Sequence, residues 1–271
     1  MARHHLLRCC VGALLALALH LPAMAGRSCD ARPASPESVQ RGMALAQRTH
    51  DALEAAHARD GTQVVVLARA GQDLSAYGLR YSHLGLASRV TLADGTPAWR
   101  VLHKLNRCGT AVSAIHRHGL GEFFLDDPWR YEGAWVVPTP AVQARLATLL
   151  QDDARAVQLH HRPYSIVSHA WATRYQQSNQ WAIETLAFAM EPGAADRQAA
   201  QRWLRLQGYV PTPLRLGPLT RLGGRLTSAN VAFDDHPDAL RFADRIETVT
   251  VDSVFAWMQA AGLAGAPVVL R

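Results

Sequence analysis

Three residues could together form an acyl-transfer site: Ser178 as the nucleophile, His83 as its base and His103 as the residue that orients this base. Ser178 stands at the start of the helical pattern SNQWAIETLAFAM, and the positive end of a helix dipole favours an anionic nucleophile there. His83 lies in the strand pattern YSHLGLA, and His103 lies one strand further on. A nearby histidine can remove the serine proton, and a second polar residue can orient that histidine. Serine and histidine are common, so this spacing alone assigns no activity.

Each of these residues also has a purely structural interpretation. Serine is a favoured helix N-cap, worth about 1 kcal/mol. His83 fits a hydrogen-bonded histidine at a strand edge. His103 alternates onto the same strand face as Trp99 and Val101, which fits a buried structural histidine. Ser178 therefore has three interpretations: a serine hydrolase, an inactive enzyme retained as a binding module, or a helix cap without chemistry.

Two histidine-rich stretches, IHRHG and LHHRP, raise the question of a metal site. His116 and His118 would share one face of an extended segment, whereas the adjacent His160 and His161 would point apart. The sequence contains no HExxH motif and no paired CxxC motif. We therefore predict no metal site and no cofactor.

The first residues resemble an export signal. Arg3 and Arg8 precede the apolar stretch VGALLALALHL, and the small residues AMA precede Gly26. About eleven apolar residues are too few for a bilayer span, which needs roughly twenty. We predict a signal peptide over residues 1–25, cleaved to leave an exported protein, periplasmic in a diderm bacterium and without a stable membrane anchor.

Two of the four cysteines would remain after cleavage, Cys29 and Cys108. In an oxidising compartment a single pair of cysteines predicts one disulfide, which would contribute roughly 2–4 kcal/mol. The alternative makes Cys108 a reactive thiol.

The charge pattern argues against nucleic-acid binding. The formal net charge of +6 falls to +4 once the two signal arginines are removed. The arginines are scattered along the chain, and Lys104 is the single lysine. We expect at most a weak attraction to anionic envelope polymers.

The order of elements predicts an α+β fold, because strands cluster in the first half and helices follow them. The mature chain, residues 26–271, is predicted to form one domain, with a core over about 35–192 and a C-terminal extension over 193–271. The stretch 209–226, dense in Pro and Gly, is predicted to be an ordered loop. Helices are predicted over 35–61, 140–152, 178–190, 194–208 and 253–262, and strands over 62–71, 78–90, 97–106, 133–138 and 244–252.

Several of these stretches resemble an uncharacterised bacterial family, domain of unknown function 2145. The resemblance rests on RYSHLGLA, WRVLHKLN, YQQSNQWAIETLA and FDDHPDALRFADRIETVTVDSVFAWM, and runs from about Cys29 to Met258. The family pattern has a cysteine in NCNQW, where this chain has Gln177 and Ser178. That pattern is in turn similar to circularly permuted papain-like peptidases related to NlpC-type cell-wall hydrolases. In those, a histidine on an SHVGI-like strand precedes a cysteine at a helix start.

The resemblance implies a papain-like, circularly permuted core, with an antiparallel sheet packed on helices and C-terminal additions. His83 matches the catalytic histidine, Ser178 the nucleophile position, and His103 a third polar residue. An enzyme of this kind would be an amidase or peptidase acting on an envelope peptide or amide. A serine hydroxyl, unlike a thiol, needs a well-placed base to react at all. The alternatives are an inactive module that binds a peptide or cell-wall fragment, and a structural envelope protein.

Overall fold

The computed structural model of the chain describes residues 34–126 and 128–271. The predicted signal peptide and Cys29 lie outside this part, so the signal peptide and the Cys29–Cys108 disulfide stay predictions. Within the described part no helix is both long enough and apolar enough to cross a membrane.

The first helix, α1 (Pro36–Asp60), begins and ends where its capping residues predict. Ser35 Oγ accepts a hydrogen bond from the Ser38 amide at 3.1 Å, and Gly61 ends the helix with a φ of 70°. Because glycine has no Cβ, it adopts this left-handed conformation without strain.

Six antiparallel strands form the main sheet, in the spatial order β4-β3-β2-β1-β5-β8, and β6 pairs with β7 in a separate two-stranded sheet. The eight strands are β1 (Val64–Arg69), β2 (His83–Thr91), β3 (Pro97–Asn106), β4 (Ser113–Gly119), β5 (Gly133–Val136), β6 (Thr212–Arg215), β7 (Arg245–Thr248) and β8 (Val268–Leu270).

The other α-helices of the described residues pack on the main sheet, on each other or beside the small sheet. They are α2 (Leu120–Leu125), α3 (Pro140–Gln151), α4 (Asp153–Ala156), α5 (Ser178–Met190), α6 (Arg197–Leu206), α7 (Pro218–Thr227), α8 (Asp238–Phe242) and α9 (Val251–Ala260).

Side-chain alternation divides the main sheet into two buried faces. On what we call the α1 face, Val65, Leu67 and Val101 pack with residues of α1 and α2. On what we call the α5 face, Leu84 and Leu86 pack with α3, α5 and α9. Because neighbouring residues of a strand point to opposite sides, a shift of one position moves a side chain from one face to the other.

The α+β class is confirmed, and most predicted elements form within a few residues of their expected ends. β3 has the predicted bounds. The prediction of a loop over 209–226 is wrong, since this stretch forms β6 and α7. β6 pairs with β7, and its following residues bury Leu216 in a small cluster with Val231 and Ile246. Tertiary pairing thus outweighs the local preference of Pro and Gly for turns.

The strand β4 was not among the predicted elements. It contains the IHRHG stretch and pairs with β3 over seven residue pairs, from Arg100 opposite Gly119 to Asn106 opposite Ser113. This pairing places His116 directly opposite His103.

Candidate functional site

His83 is the first residue of β2 and points onto the α1 face of the sheet. It lies opposite Arg69 of β1, and its ring centroid is 5.9 Å from that of Phe123 in α2. Two residues on, a side chain at Gly85 would meet Val101 Cγ1 at 2.3 Å and His103 Cβ at 3.3 Å. The glycine of SHLGLA therefore gives the neighbouring β3 side chains the space that they occupy.

His83 and His103 form the first link of a chain of histidines. His83 Nε2 lies 2.8 Å from His103 Nδ1, and His103 Nε2 lies 3.0 Å from His118 Nδ1. His83 and His103 are buried, while His118 is partly exposed. His116 lies beside this chain, with its ring centroid 5.2 Å from that of His118.

Burial keeps His83 and His103 neutral. It lowers the pKa of His83 well below its usual value, and the charge of Arg69 adds to the effect. The pKa of His103 falls to about 3, again mainly through burial and then through Arg69. A neutral imidazole has one donor nitrogen and one acceptor nitrogen. His103 therefore donates one of its two bonds and accepts the other.

Arg69 places a positive charge next to these histidines on the α1 face. Its guanidinium donates to the Phe123 carbonyl and forms an ion pair with Asp126. The side chain of Arg69 is 5% exposed, so its charge acts on His83 through a poorly screened interior.

Ser178 lies at the first position of α5, and its helix cap is a different residue. Gln177 occupies the N-cap position, and its side-chain Oε1 accepts a hydrogen bond from the Asn179 amide at 3.0 Å. The interpretation of Ser178 as the N-cap is therefore wrong. The Ser178 hydroxyl instead lies 3.4 Å from the hydroxyl of Tyr164, and Ser178 is 5% exposed.

The structure brings His83 and His103 together, and within the described residues it forms no hydrogen bond between Ser178 and either of them. The next residue along β2, Leu84, belongs to the core of the α5 face, so the side chain of His83 points to the opposite face. Among the hydrogen bonds of the described residues, none joins Ser178 to His83 or His103.

A set of buried amides surrounds Ser178 and was not recognised in the sequence as a unit. Asn179 Oδ1 accepts the Leu84 amide of β2 at 2.9 Å. Gln180 Nε2 donates to the carbonyls of His169 and Ala170, at 3.1 and 3.2 Å. Gln177 Nε2 donates to the Val249 carbonyl. The run QQSNQ ahead of an apolar helix was the available signal, since five polar residues at a buried helix start must all find partners.

Gln176 connects this set to a buried pair of charges on the α5 face. Its Nε2 donates to Glu184 Oε2 at 2.5 Å, and its Oε1 accepts from Lys104 Nζ at 2.7 Å. Glu184 forms a two-bonded ion pair with Arg197, at 2.7 and 3.1 Å, with both side chains buried. Gln201 Nε2 donates a further bond to Glu184, at 2.7 Å.

Lys104 follows His103 along β3 and so points to the α5 face. Its amine donates to the His161 carbonyl and to Gln176, both at 2.7 Å. Burial lowers the pKa of Lys104 to about 6, and the charge of Arg197 acts in the same direction. A neutral amine has two N–H donors, and both are in use here.

The described residues contain no group of three His, Cys, Asp or Glu side chains arranged to hold a metal ion. Cys108 lies in the turn between β3 and β4.

These features define an α+β protein with an antiparallel sheet that carries separate buried polar groups on its two faces. A family described as an uncharacterized protein conserved in bacteria, DUF2145, matches residues 56–258, and the chain belongs to this family. Neither the curated proteins nor the solved structures contain a significant match to the chain.

Proposed function

We propose that this protein is a non-catalytic binding module of the bacterial envelope, built on a papain-like core that no longer performs acyl transfer. One observation carries the proposal: His83 and Ser178 lie on opposite faces of the same sheet. A base must come within hydrogen-bond reach of the proton that it removes. To form a dyad with Ser178, the side chain of His83 would have to turn to the other face of β2 and give up its bond to His103.

The immediate neighbours of Ser178 also argue against catalysis. The group in contact with its hydroxyl is Tyr164, and burial raises the pKa of that phenol. The phenol therefore stays protonated at neutral pH and cannot accept the serine proton. The amides around Ser178 are engaged with backbone groups, which gives this helix start a structural role.

The proposed ligand is a peptide or a peptide-bearing cell-wall fragment. Support comes from the resemblance to cell-wall hydrolases and from the predicted export signal. A module that lost its nucleophilic cysteine could keep the ligand specificity of the ancestral enzyme without turnover.

Cosedimentation with isolated cell-wall sacculi tests the binding, and a fluorophosphonate probe tests for a reactive serine. We expect the chain beginning at Gly26 to cosediment with sacculi, with the same apparent Kd in the Ser178→Ala variant. We expect no probe labelling and no release of free amines. Labelling of the wild type that disappears in Ser178→Ala would overturn the proposal, as would failure to bind sacculi or peptides derived from them.

A Ser178→Cys variant tests the histidine directly. If His83 does not serve this position, a thiol there reacts with iodoacetamide at the same rate whether or not His83 is changed to Ala. Ser88→Cys is the matched control, because Ser88 of β2 is 6% exposed and Ser178 is 5% exposed. A rate well above the control that falls in the His83→Ala background would instead support a thiol-type site.

A second candidate function is acyl transfer by Ser178 with Lys104 as the base. The observation in its favour is that both groups adjoin Tyr164: Lys104 Nζ lies 5.9 Å from the ring centroid, and Ser178 Oγ lies 3.4 Å from the hydroxyl. A lysine amine with a pKa of about 6 is a base at neutral pH. This function predicts amidase activity that rises with pH through about 6 and is lost in both Ser178→Ala and Lys104→Met, with His83→Ala unaffected.

A further inference from the structure

The helix α7 exposes a row of leucines on the side turned away from the protein. Leu219, Leu222 and Leu226 are 83%, 54% and 77% exposed. Their spacing of three and four residues places them on one helix face. The opposite side of α7 packs closely on the small cluster: a Cβ added to Gly224 would lie 3.2 Å from Val231. We call these three leucines the α7 stripe.

Three adjoining leucines with this exposure form a patch that differs from the single exposed apolar residues of ordinary surfaces. The leucines of the stripe do not contribute to the core, because the side of α7 that packs against the protein carries Gly224 and the half-buried Arg221. Within the described part of the chain the stripe is left exposed, and it is therefore a candidate docking surface.

The sequence around the stripe is basic. The stretch 197–233 contains no Asp or Glu, and its basic residues are Arg197, Arg202, Arg205, Arg215, Arg221 and Arg225.

Two arginines of this stretch are paired with acids, Arg197 with Glu184 at 2.7 Å and Arg221 with Asp244 at 3.3 Å. Arg215 and Arg225, which flank the stripe in sequence, are exposed to solvent. The patch is thus apolar at its centre, and the exposed charges nearest to it in sequence are positive.

We propose that α7 docks on an anionic lipid bilayer surface, with the α7 stripe inserted among the acyl chains and Arg215 and Arg225 at the lipid phosphates. Leucines on one side of a helix with arginines beside them are the arrangement that binds such interfaces. A second copy of the chain fits less well, because joining two stripes would bring like charges together. The proposal does not depend on peptide binding or on the role of Ser178.

Vesicle cosedimentation of the chain beginning at Gly26 tests the proposal. We expect binding to vesicles of equal parts phosphatidylglycerol and phosphatidylcholine, and at least ten-fold weaker binding to phosphatidylcholine alone. Leu219→Ser combined with Leu226→Ser should weaken binding to the anionic vesicles at least ten-fold. Arg225→Gln should weaken it about five-fold, as expected for one basic residue near the surface.

The control is Leu206→Ser, since Leu206 of α6 has the same exposed fraction as Leu219, 83%. Its binding should equal that of the wild type, and all variants should keep the wild-type Tm. An equal loss in Leu206→Ser would overturn the assignment to the α7 stripe. Binding that ignores lipid charge, or no vesicle binding with dimerisation that the double variant abolishes, would overturn the lipid surface as the partner.

Discussion

The two faces of the main sheet both bury polar groups, but they satisfy them in different ways. On the α1 face, His83 and His103 bond mainly to each other and to His118, and the chain ends at a partly exposed residue. On the α5 face, Glu184 and Lys104 belong to a closed network of side-chain amides, carbonyls and an arginine.

This difference has a simple geometric origin in β3. His103 and Lys104 are adjacent in sequence, yet they belong to different networks because successive side chains point to opposite faces. The α1 face buries the neutral imidazole rings of His83 and His103, and the α5 face buries the ion pair of Glu184 and Arg197. Variants that each remove one buried polar group, compared by their free energies of unfolding, test this difference between the faces.

The largest effect is expected on the α5 face, from Glu184→Gln. The change keeps the shape of the side chain and leaves the buried Arg197 without its counter-charge. Removing one partner of a buried ion pair costs about 3–5 kcal/mol. We expect the free energy of unfolding, measured in urea, to fall by that amount.

Asp153→Asn serves as the control for this prediction. Asp153 pairs with Arg117 at 2.8 Å, but its side chain is 89% exposed, so the loss should stay below about 1 kcal/mol. Equal losses in the two variants would contradict the buried network.

The two faces should also respond to pH in different ranges. His103 has a folded pKa of about 3, below its unfolded value near 6.5, so its contribution to stability is complete above pH 6.5 and declines as pH falls. This amounts to roughly 2 kcal/mol between pH 7 and pH 5. Urea unfolding at both pH values should show a fall that is smaller by this amount in His103→Gln than in the wild type.

Lys104 acts in a higher range. Its folded pKa of about 6 lies below its unfolded value near 10.4, so stability rises with pH between these values by roughly 1.4 kcal/mol per unit. Unfolding in urea at pH 7 and pH 9 should show this rise in the wild type and a flatter curve in Lys104→Met. A curve unchanged by the substitution would mean that Lys104 remains charged in the folded state.

A smaller effect is expected from the side-chain amide of Asn179, which joins helix α5 to strand β2. The residue pairs between β2 and β3 stop at Leu86, so no β3 carbonyl faces the Leu84 amide. Asn179 Oδ1 accepts that amide instead. Asn179→Ala leaves that amide without its partner and should cost about 1–3 kcal/mol of unfolding free energy. Asn106→Ala, which removes one long bond of 3.4 Å at an exposed site, should be close to neutral.

The smallest effect is expected at Ser178 itself. The Ser178 hydroxyl lies a long 3.4 Å from the Tyr164 hydroxyl, so Ser178→Ala should change the unfolding free energy by less than about 1 kcal/mol. Ser168→Ala should cost more, because its hydroxyl donates to Gln180 at 2.9 Å and accepts the Gln177 amide at 3.1 Å. A reversed order in thermal or urea unfolding would show that Ser178 holds the helix start more firmly than its contact indicates.

Local patterns predicted the elements with strong capping or alternation signals. Ser35, Pro36 and Gly61 predicted the ends of α1, and the alternation around Trp99 and Val101 predicted β3 and the burial of His103. The stretch 209–226 was predicted wrongly, because β6 forms only through pairing with a strand some thirty residues away.

The candidate site was predicted in part. The sequence indicated that His83 and His103 belong together, and they share a hydrogen bond. It did not indicate that His118 continues the chain, since β4 was not recognised. Nor did it identify Gln177 as the cap of α5, because Ser178 is the more usual residue for that position.

The sequence by itself determined the α+β class, the main helices and strands, and membership of the DUF2145 family. It also determined which polar residues would have to be buried, since they lie within or beside apolar segments. The tertiary structure alone decided which face of the sheet each of them occupies. That choice depends on which helix covers which side, and it separates His83 from Ser178 although both lie at the start of buried elements.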